Sequence, residues 1–277
     1  MEPKISVALV TRNRPESLER TLTSLRAQSA QPFEVIVSDD SDAEFVPRIM
    51  AIAEKFQCTY RPGPKRGLYA NRNSVALACS GSHVRTMDDD HTFPDGHWEA
   101  CAQAVVEAPD TVWTISEYVP TRRPEDGPPN EPGQLHPRGF SVAPADPEEY
   151  WGISDGASIY PKSIFEAGHL YAEYFIFGAA YLEFGSRLKW LGYTLRNLRT
   201  TYVDHDYHES ARSVMNAEVD LSSRVFAMLC HSFRYQRSIK NASLTSLQIA
   251  WEIIRGGTRG ARCVRRGMRA FREFASP

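Results

Sequence analysis

The amino-acid sequence predicts an α/β protein with a mostly parallel central sheet, helices on both faces of it, and a helical C-terminal extension. Three observations carry that expectation. From Lys4 to Tyr118, short β-branched runs alternate with segments of helical periodicity. The runs are apolar nearly throughout, as strands covered on both faces are. Polar clusters stand where the runs end, which is the edge where parallel α/β sheets bind ligands.

Taken in order, Lys4–Val10 reads as a buried strand, broken by Thr11-Arg12-Asn13-Arg14-Pro15. Pro15 suits a first helical turn, and Leu18, Leu22 and Leu25 recur at helical spacing to Ala27. Phe33–Ser38 is a second strand, closing on Asp39-Asp40-Ser41-Asp42. A helix over Ala43–Lys55 follows, with Val46, Ile49, Met50 and Ala53 on one face. Next come a short strand Cys58–Arg61, the loop Pro62–Gly67, and a helix Leu68–Cys79. The strand from His83 then runs into Asp88-Asp89-Asp90-His91-Thr92-Phe93-Pro94.

Beyond Pro94 the pattern gives a helix to Glu107 and a strand Thr111–Tyr118. Residues 120–147 hold eight prolines and no periodicity, too long for an idle connection, and read as an active-site lid or acceptor loop, with a disordered excursion as the alternative. Gly156–Tyr160 is a strand, Pro161–Ala167 a short helix, and Ala179–Leu191 a strong helix with Glu183 and Arg187 at i,i+4. Tyr193–Val203 is extended and leads to Asp204-His205-Asp206-Tyr207-His208-Glu209. Three helices close the chain, over Ala217–Arg237, Leu244–Arg255 and Thr258–Phe274.

The 277 residues can bury one sizeable core, and 42% hydrophobic with 24% charged composition is that of an ordinary globular protein. No apolar run approaches the ~18 residues of a membrane span, and the start does not read as a signal peptide. Five scattered cysteines without a Cys-x-x-Cys pair suggest reduced thiols and a cytoplasmic location. With a net charge of -2, no nucleic-acid partner is expected. The charge is uneven: after Ala217 there are 11 Lys and Arg against 4 Asp and Glu. From the end of the penultimate helix through the last one, Arg255, Arg259, Arg262, Arg266 and Arg269 form a cationic stripe. It reads either as a solvated face or as a surface for an anionic partner: phospholipid at the inner face of a membrane, or an acidic carrier protein.

Three consecutive carboxylates repel, and burying them unpaired costs several kcal/mol (roughly 3–5). At a strand end such a cluster usually meets a cation, with a solvated acidic turn as the plain alternative. Asp88-x-Asp90-x-Thr92 also spells the phosphatase pattern of the haloacid dehalogenase class. That class needs a later Gly-Asp acidic site, and the chain has no Gly-Asp dipeptide.

Several stretches together resemble the family 2 glycosyltransferases with the GT-A fold: Ile5–Asn13, Val35–Asp42, Gly67–Asn73, Thr86–Pro94, Leu182–Tyr193 and His205. The resemblance covers Lys4 to His205, about three-quarters of the chain, and implies a nucleotide-sugar half (1–95), an acceptor half (96–216) and, outside it, the basic extension (217–277). It implies a metal-dependent inverting transferase that uses a UDP-sugar, UDP-GlcNAc or UDP-glucose, or a dTDP-sugar. Mn²⁺ or Mg²⁺ held by carboxylates would neutralise the departing diphosphate. The nucleotide would meet Thr11, Arg12, Asn13, Asp39, Asp40, Arg72, Asp88 and Asp89. Asp88 is expected on the ribose side, Asp90 or Asp89 on the metal, and His205, with His208 as fallback, completing the metal shell.

The Glu-Asp that family members carry before the helix ending in a Gly-Tyr pattern is replaced by Ala180-Tyr181. Glu183 is the expected general base, with Asp155 and Glu173 as other carboxylates in that half. Trp151 and Asp155 are expected to shape the acceptor site. The acceptor itself is left open, a lipid-linked or carrier-tethered substrate fitting the arginine stripe. The missing Glu-Asp keeps a non-catalytic nucleotide-sugar binding module as an alternative.

Overall fold

The computed structural model describes residues 3–146, 149–206 and 216–274. Its centre is an eight-stranded sheet. Four parallel strands form one half: β1 (Ile5–Thr11), β2 (Glu34–Asp39), β3 (Thr59–Pro62) and β4 (His83–Asp88), in the order β3-β2-β1-β4. Further strands continue it: β5 (His91–Thr92), β6 (Thr111–Tyr118), β9 (Ser158–Pro161) and β10 (Thr194–His205). β9 lies antiparallel between β4 and β6, β10 runs parallel to β6, and β5 closes the edge antiparallel to β10. β7 (Gln134–Leu135) and β8 (Ser141–Val142) form a separate small hairpin.

Alternation along β1 explains the layering. Val7 and Leu9 face one way, into a cluster with Leu18, Leu22, Val35, Trp98 and Cys101. Ala8 and Val10 face the other way, toward Tyr69, Val75, Phe165, Phe184 and Leu188. Helices α1 (Pro15–Arg26), α2 (Val46–Lys55) and α4 (His97–Glu107) therefore cover one face of the sheet. Helices α3 (Leu68–Ala78), α5 (Lys162–Glu166) and α6 (Ala180–Trp190) cover the other. Each Leu or Phe fully buried this way contributes about 1.5–3 kcal/mol.

One helix face differs from the sequence expectation. α2 starts at Val46 with Pro47 in its first turn, and it turns Ile49, Ile52 and Ala53 inward while Met50 stays exposed. The segment expected as a lid or an excursion is folded against the domain through residue 146, Pro147 lying outside the described residues. Backbone bridges join Glu117 to Asn130 and Val119 to Arg122. The Tyr118 hydroxyl donates to Gly127 O at 3.0 Å, and Tyr150 donates to Pro132 O.

α7 (Ala217–Cys230) is capped by Asn216, whose side chain accepts from Glu218 N. It passes into a wider turn at His231–Tyr235 instead of continuing to Arg237. α8 (Ile239–Glu273) is two arms joined at Gly257, where φ is +54°. Its second arm lies close on α7: a Cβ at Gly267 would stand 2.7 Å from Ser222 O and Val225 Cβ. All five cysteines are free thiols. Among the described residues no helix is long and apolar enough to cross a membrane.

Candidate active site

Pairing register carries distant polar residues to one edge of the sheet. Thr11 stands opposite Asp39, and Val10 opposite Asp88, so the carboxyl ends of β1, β2 and β4 are side by side. The antiparallel β5–β10 ladder sets His205 opposite His91. Gly156 and Asp155 precede β9 at the same edge because that strand runs the other way. The result is a cavity of about 1060 Å³ walled by Thr11, Asp40, Asp88, Asp90, Asp155 and His205, among others.

The acidic triplet splits in three directions. Asp88 leaves β4 toward α3, where the fully buried Arg72 donates to both its oxygens at 2.7 and 3.0 Å. Asp89 turns into the interior with no exposure; Thr11 Oγ1 donates to it at 2.6 Å, and Arg14 forms an ion pair with it. Burial pushes the Asp89 carboxyl up to about 7, against the pull of Arg14. Asp90 points toward β10, with Arg14 Nη1 at 2.8 Å and His205 Nε2 at 3.5 Å.

Around Asp90 the donors converge. One atom each from Asp90, His91 and His205 lie within 4.8 Å of one another. Nδ1 of the buried His91 has no hydrogen-bond partner, an orphan of the kind that a bound cation would satisfy. Burial holds the His91 imidazole down at about 4, so it is neutral and available as a ligand. Burial also opposes charge on His205, but Asp90 and Glu117 outweigh it and raise its pKa to about 10, so a cation binding there would displace the Nε2 proton. Glu117, from the end of β6, accepts from His205 Nδ1 at 2.8 Å and so orients the ring. One carboxylate and two imidazoles make a donor set that fits a divalent first-row ion.

The expected nucleotide residues divide. Thr11, Arg12, Asp40 and Asp88 face the cavity. Asp40 is braced by Lys65 N at 2.8 Å, and burial raises its pKa. Asp39 is turned away: it accepts from Ser41 N at 2.8 Å and from Tyr60 Oη at 3.2 Å. Asn13, at φ +57°, ties its loop to the next one by donating to Asp42 and accepting from Asp42 N. Both therefore shape the loops and do not line the cavity. Arg72 is also behind the wall, acting through Asp88 and, at 3.0 Å from its Nε, Asp155.

The geometry places three residues expected on the metal and acceptor side away from the cavity wall. Asp89 is taken up by Thr11 and Arg14, so it does not join the metal cluster. Glu183 is fully buried, accepting from Arg187 Nε at 3.0 Å and from the Tyr235 hydroxyl at 2.5 Å. It sits inside the packing of α6 and is not among the residues that line the cavity. Trp151 packs against the core cluster of α6 and near His231, outside the cavity wall. Glu173 is held by Arg66 and Asn73. Asp155 does face the cavity, where burial, against the pull of Arg72, raises its carboxyl to about 6. His208 lies outside the described residues.

Sequence reading missed His91, Arg14 and Glu117. His91 was visible as the neighbour of the triplet and Arg14 as a charge in the loop after the first strand. Glu117 had no signal, because its role depends on β6 lying beside β10. The Pro-rich segment supplies Asn130, Glu131, Pro132 and Phe140 to the wall, so it belongs to the site.

The mostly parallel sheet, whose strand ends present carboxylates and imidazoles to one cavity, has the GT-A fold. Solved structures agree on the fold. S. aureus TarS 1–349 in complex with UDP-GlcNAc superposes with a TM-score of 0.67 at 15% identity, over 97% of this chain and 81% of that one. GalNAc-T7 with UDP, GalNAc and Mn²⁺ gives 0.67 at 16% identity, over 81% of this chain and 47% of that one. The model of glycosyl transferase family 2 matches residues 6–168, and the chain belongs to that family. An uncharacterised glycosyltransferase of Bacillus subtilis, YwdF, is 32% identical over 116 residues, 42% of this chain and 43% of that protein. The GalNAc(5)-diNAcBac-PP-undecaprenol β-1,3-glucosyltransferase of Campylobacter jejuni is 30% identical over 98 residues, 34% of this chain and 32% of that protein. The aligned segments thus span less than half of either relative. Membership sets aside the phosphatase reading of Asp88 and Asp90.

Proposed function

We propose that the protein is a metal-dependent, inverting transferase that moves a sugar from a UDP-sugar, UDP-GlcNAc or UDP-glucose, to an acceptor hydroxyl. The observation that carries this is the convergence of Asp90, His91 and His205 beside Asp88, Asp40 and Thr11 on one cavity. The fold neighbours whose ligands are UDP, and UDP with Mn²⁺, support the donor class and the cation. Asp40 accepts from the N3–H of a uracil, a donor that cytosine lacks. Asp88 meets the ribose, with Arg72 fixing its rotamer.

Asp90, His91 and His205 would hold the cation, and two imidazoles would favour Mn²⁺ over Mg²⁺, which prefers all-oxygen shells. When bound, the ion neutralises charge that grows on the diphosphate as it departs. Glu117 keeps His205 oriented, and Arg14 holds Asp90 in place from the opposite side.

With Glu183 sequestered, Asp155 is the general base. It removes the acceptor proton as the acceptor oxygen bonds to the anomeric carbon and the bond from that carbon to the UDP oxygen breaks. A carboxyl near pH 6 is ionised at neutral pH yet basic enough to take that proton. Tyr181, at a position where family members carry an acid, lines the same wall.

The test is a thermal-shift panel of UDP, dTDP, GDP and CDP with and without Mn²⁺, followed by transfer assays. UDP is expected to stabilise the wild type more when Mn²⁺ is present, and Asp90→Asn to lose only that increment. A UDP shift indifferent to Mn²⁺, or turnover unaffected by chelator, overturns the metal assignment.

A further inference from the structure

The first arm of α8, Ile239 to Gly256, is amphipathic in the wrong sense for a helix packed on a protein. Its inward face is largely polar, with Ile249 packed on the apolar cluster of α7. Thr245 Oγ1 donates to Pro137 O at 2.6 Å and bonds the Ser232 hydroxyl at 2.7 Å, and Gln248 accepts from Arg138 Nε at 2.8 Å. Its outward face carries an apolar stripe among polar residues. Leu247, Trp251 and Ile254, spaced four and three residues apart on one stripe, are 68%, 44% and 82% exposed, and Ile239 at the start is 88% exposed. A solvated helix would carry the reverse pattern.

Cations adjoin this stripe. The Arg255 guanidinium lies 4.8 Å over the Trp251 ring, at the border of the apolar face. Past the Gly257 kink the second arm buries Val264, Gly267 and Ala270 against α7, packs Gly260 back on the first arm at Glu252, and leaves its arginines exposed. Arg259 and Arg262 share the single carboxylate Glu218, and Arg265 and Arg272 have no carboxylate in ion-pair range among the described residues. The second arm therefore keeps a net positive charge, and Arg255 carries a cation to the edge of the apolar stripe itself.

We infer that α8 is an interfacial anchor: Leu247, Trp251 and Ile254 enter the boundary of an anionic bilayer while the arginines meet its headgroups. An acidic protein would satisfy the arginines and leave the apolar stripe unexplained. A second copy would cover the stripe but bring two arginine rows together. A lipid surface answers both features at once.

The anchor is tied to the catalytic cavity. The loop that Thr245 and Gln248 hold, through Pro137 and Arg138, continues into Gly139, Phe140 and Ser141 on the cavity wall. Seating the arm on a bilayer thus holds one loop of the cavity wall one helix diameter (~10 Å) from the lipid surface, within reach of a lipid-linked acceptor. This last step rests on the transferase reading; the anchoring does not.

The experiment is co-sedimentation of the full chain with phosphatidylcholine vesicles, with and without about a third phosphatidylglycerol. Wild type should sediment with the anionic vesicles, and added salt should weaken the binding. Trp251→Ser/Ile254→Ser and, separately, Arg265→Glu/Arg272→Glu should each lower partitioning at least tenfold. UDP-induced thermal shifts should stay as in wild type, since none of these residues lines the cavity. A wild type that ignores anionic vesicles overturns the anchor, as does a Trp251→Ser/Ile254→Ser variant that sediments unchanged. So does a wild-type dimer in solution that this variant converts to monomer, since the stripe would then be a self-interface. Loss of the UDP shift with vesicle binding intact would count against the transferase reading and leave the anchor standing.

Discussion

Replacing Arg72 with Met keeps most of the side-chain volume and removes the charge that sits between Asp88 and Asp155. In the wild type the guanidinium is 1% exposed, donates to Asp88 at 2.7 and 3.0 Å, and lies 3.0 Å from Asp155. The Asp155 contact falls off the N–H axis, so it acts as Coulombic attraction more than as a hydrogen bond. Breaking a buried pair by removing one partner costs about 3–5 kcal/mol. Here the two carboxylates keep 19% and 24% exposure, so water relieves part of the loss and the lower end, about 3 kcal/mol, applies. At roughly 2–4 °C per kcal/mol for a domain of this size, Tm should fall by about 6–12 °C.

The deficit should also depend on pH. The folded-state pKa of Asp155 already lies above the unfolded value, at about 6, and losing Arg72 raises it further. The folded state then holds a proton that the unfolded chain has released. Stability falls as pH rises through the folded pKa and is recovered as pH drops toward the unfolded one. Thermal melts at about pH 8 and about pH 5 therefore differ: the penalty of Arg72→Met is largest at the higher pH. A drop under about 2 °C at the higher pH would refute the reasoning, as would an equal deficit at both.

Two further outcomes follow from the same geometry. Glu183→Gln should destabilise the fold by about 3 kcal/mol, because Arg187 is left buried without its counter-charge, while the UDP shift survives; an unchanged melt with lost transfer would restore Glu183 as the base. The transfer rate at saturating donor should rise with pH through about 6 as Asp155 ionises, and Asp155→Asn should abolish that limb along with most of the turnover; a pH profile unchanged in Asp155→Asn would remove it from the chemistry.

The local chemistry of this chain is written in its order of residues. Apolar β-branched runs buried on both faces require a parallel sheet with helices on each side, and Val7/Leu9 and Ala8/Val10 do face opposite layers. Strand ends are visible as polar breaks, so residue order alone marks Thr11, Asp40, Asp88 and Asp90. What residue order does not encode is direction in space. The triplet reads as three equal carboxylates, yet the pleat and the turn after β4 send Asp88 to Arg72, Asp89 into the interior and Asp90 to His205. Glu183 and Asp155 look alike in sequence. Only packing decides that the first is locked beneath Tyr235 and Arg187 and the second opens on the cavity. Pairing across long sequence separations does the rest, because β10 laid beside β5 and β6 is what puts His205 between Asp90 and Glu117.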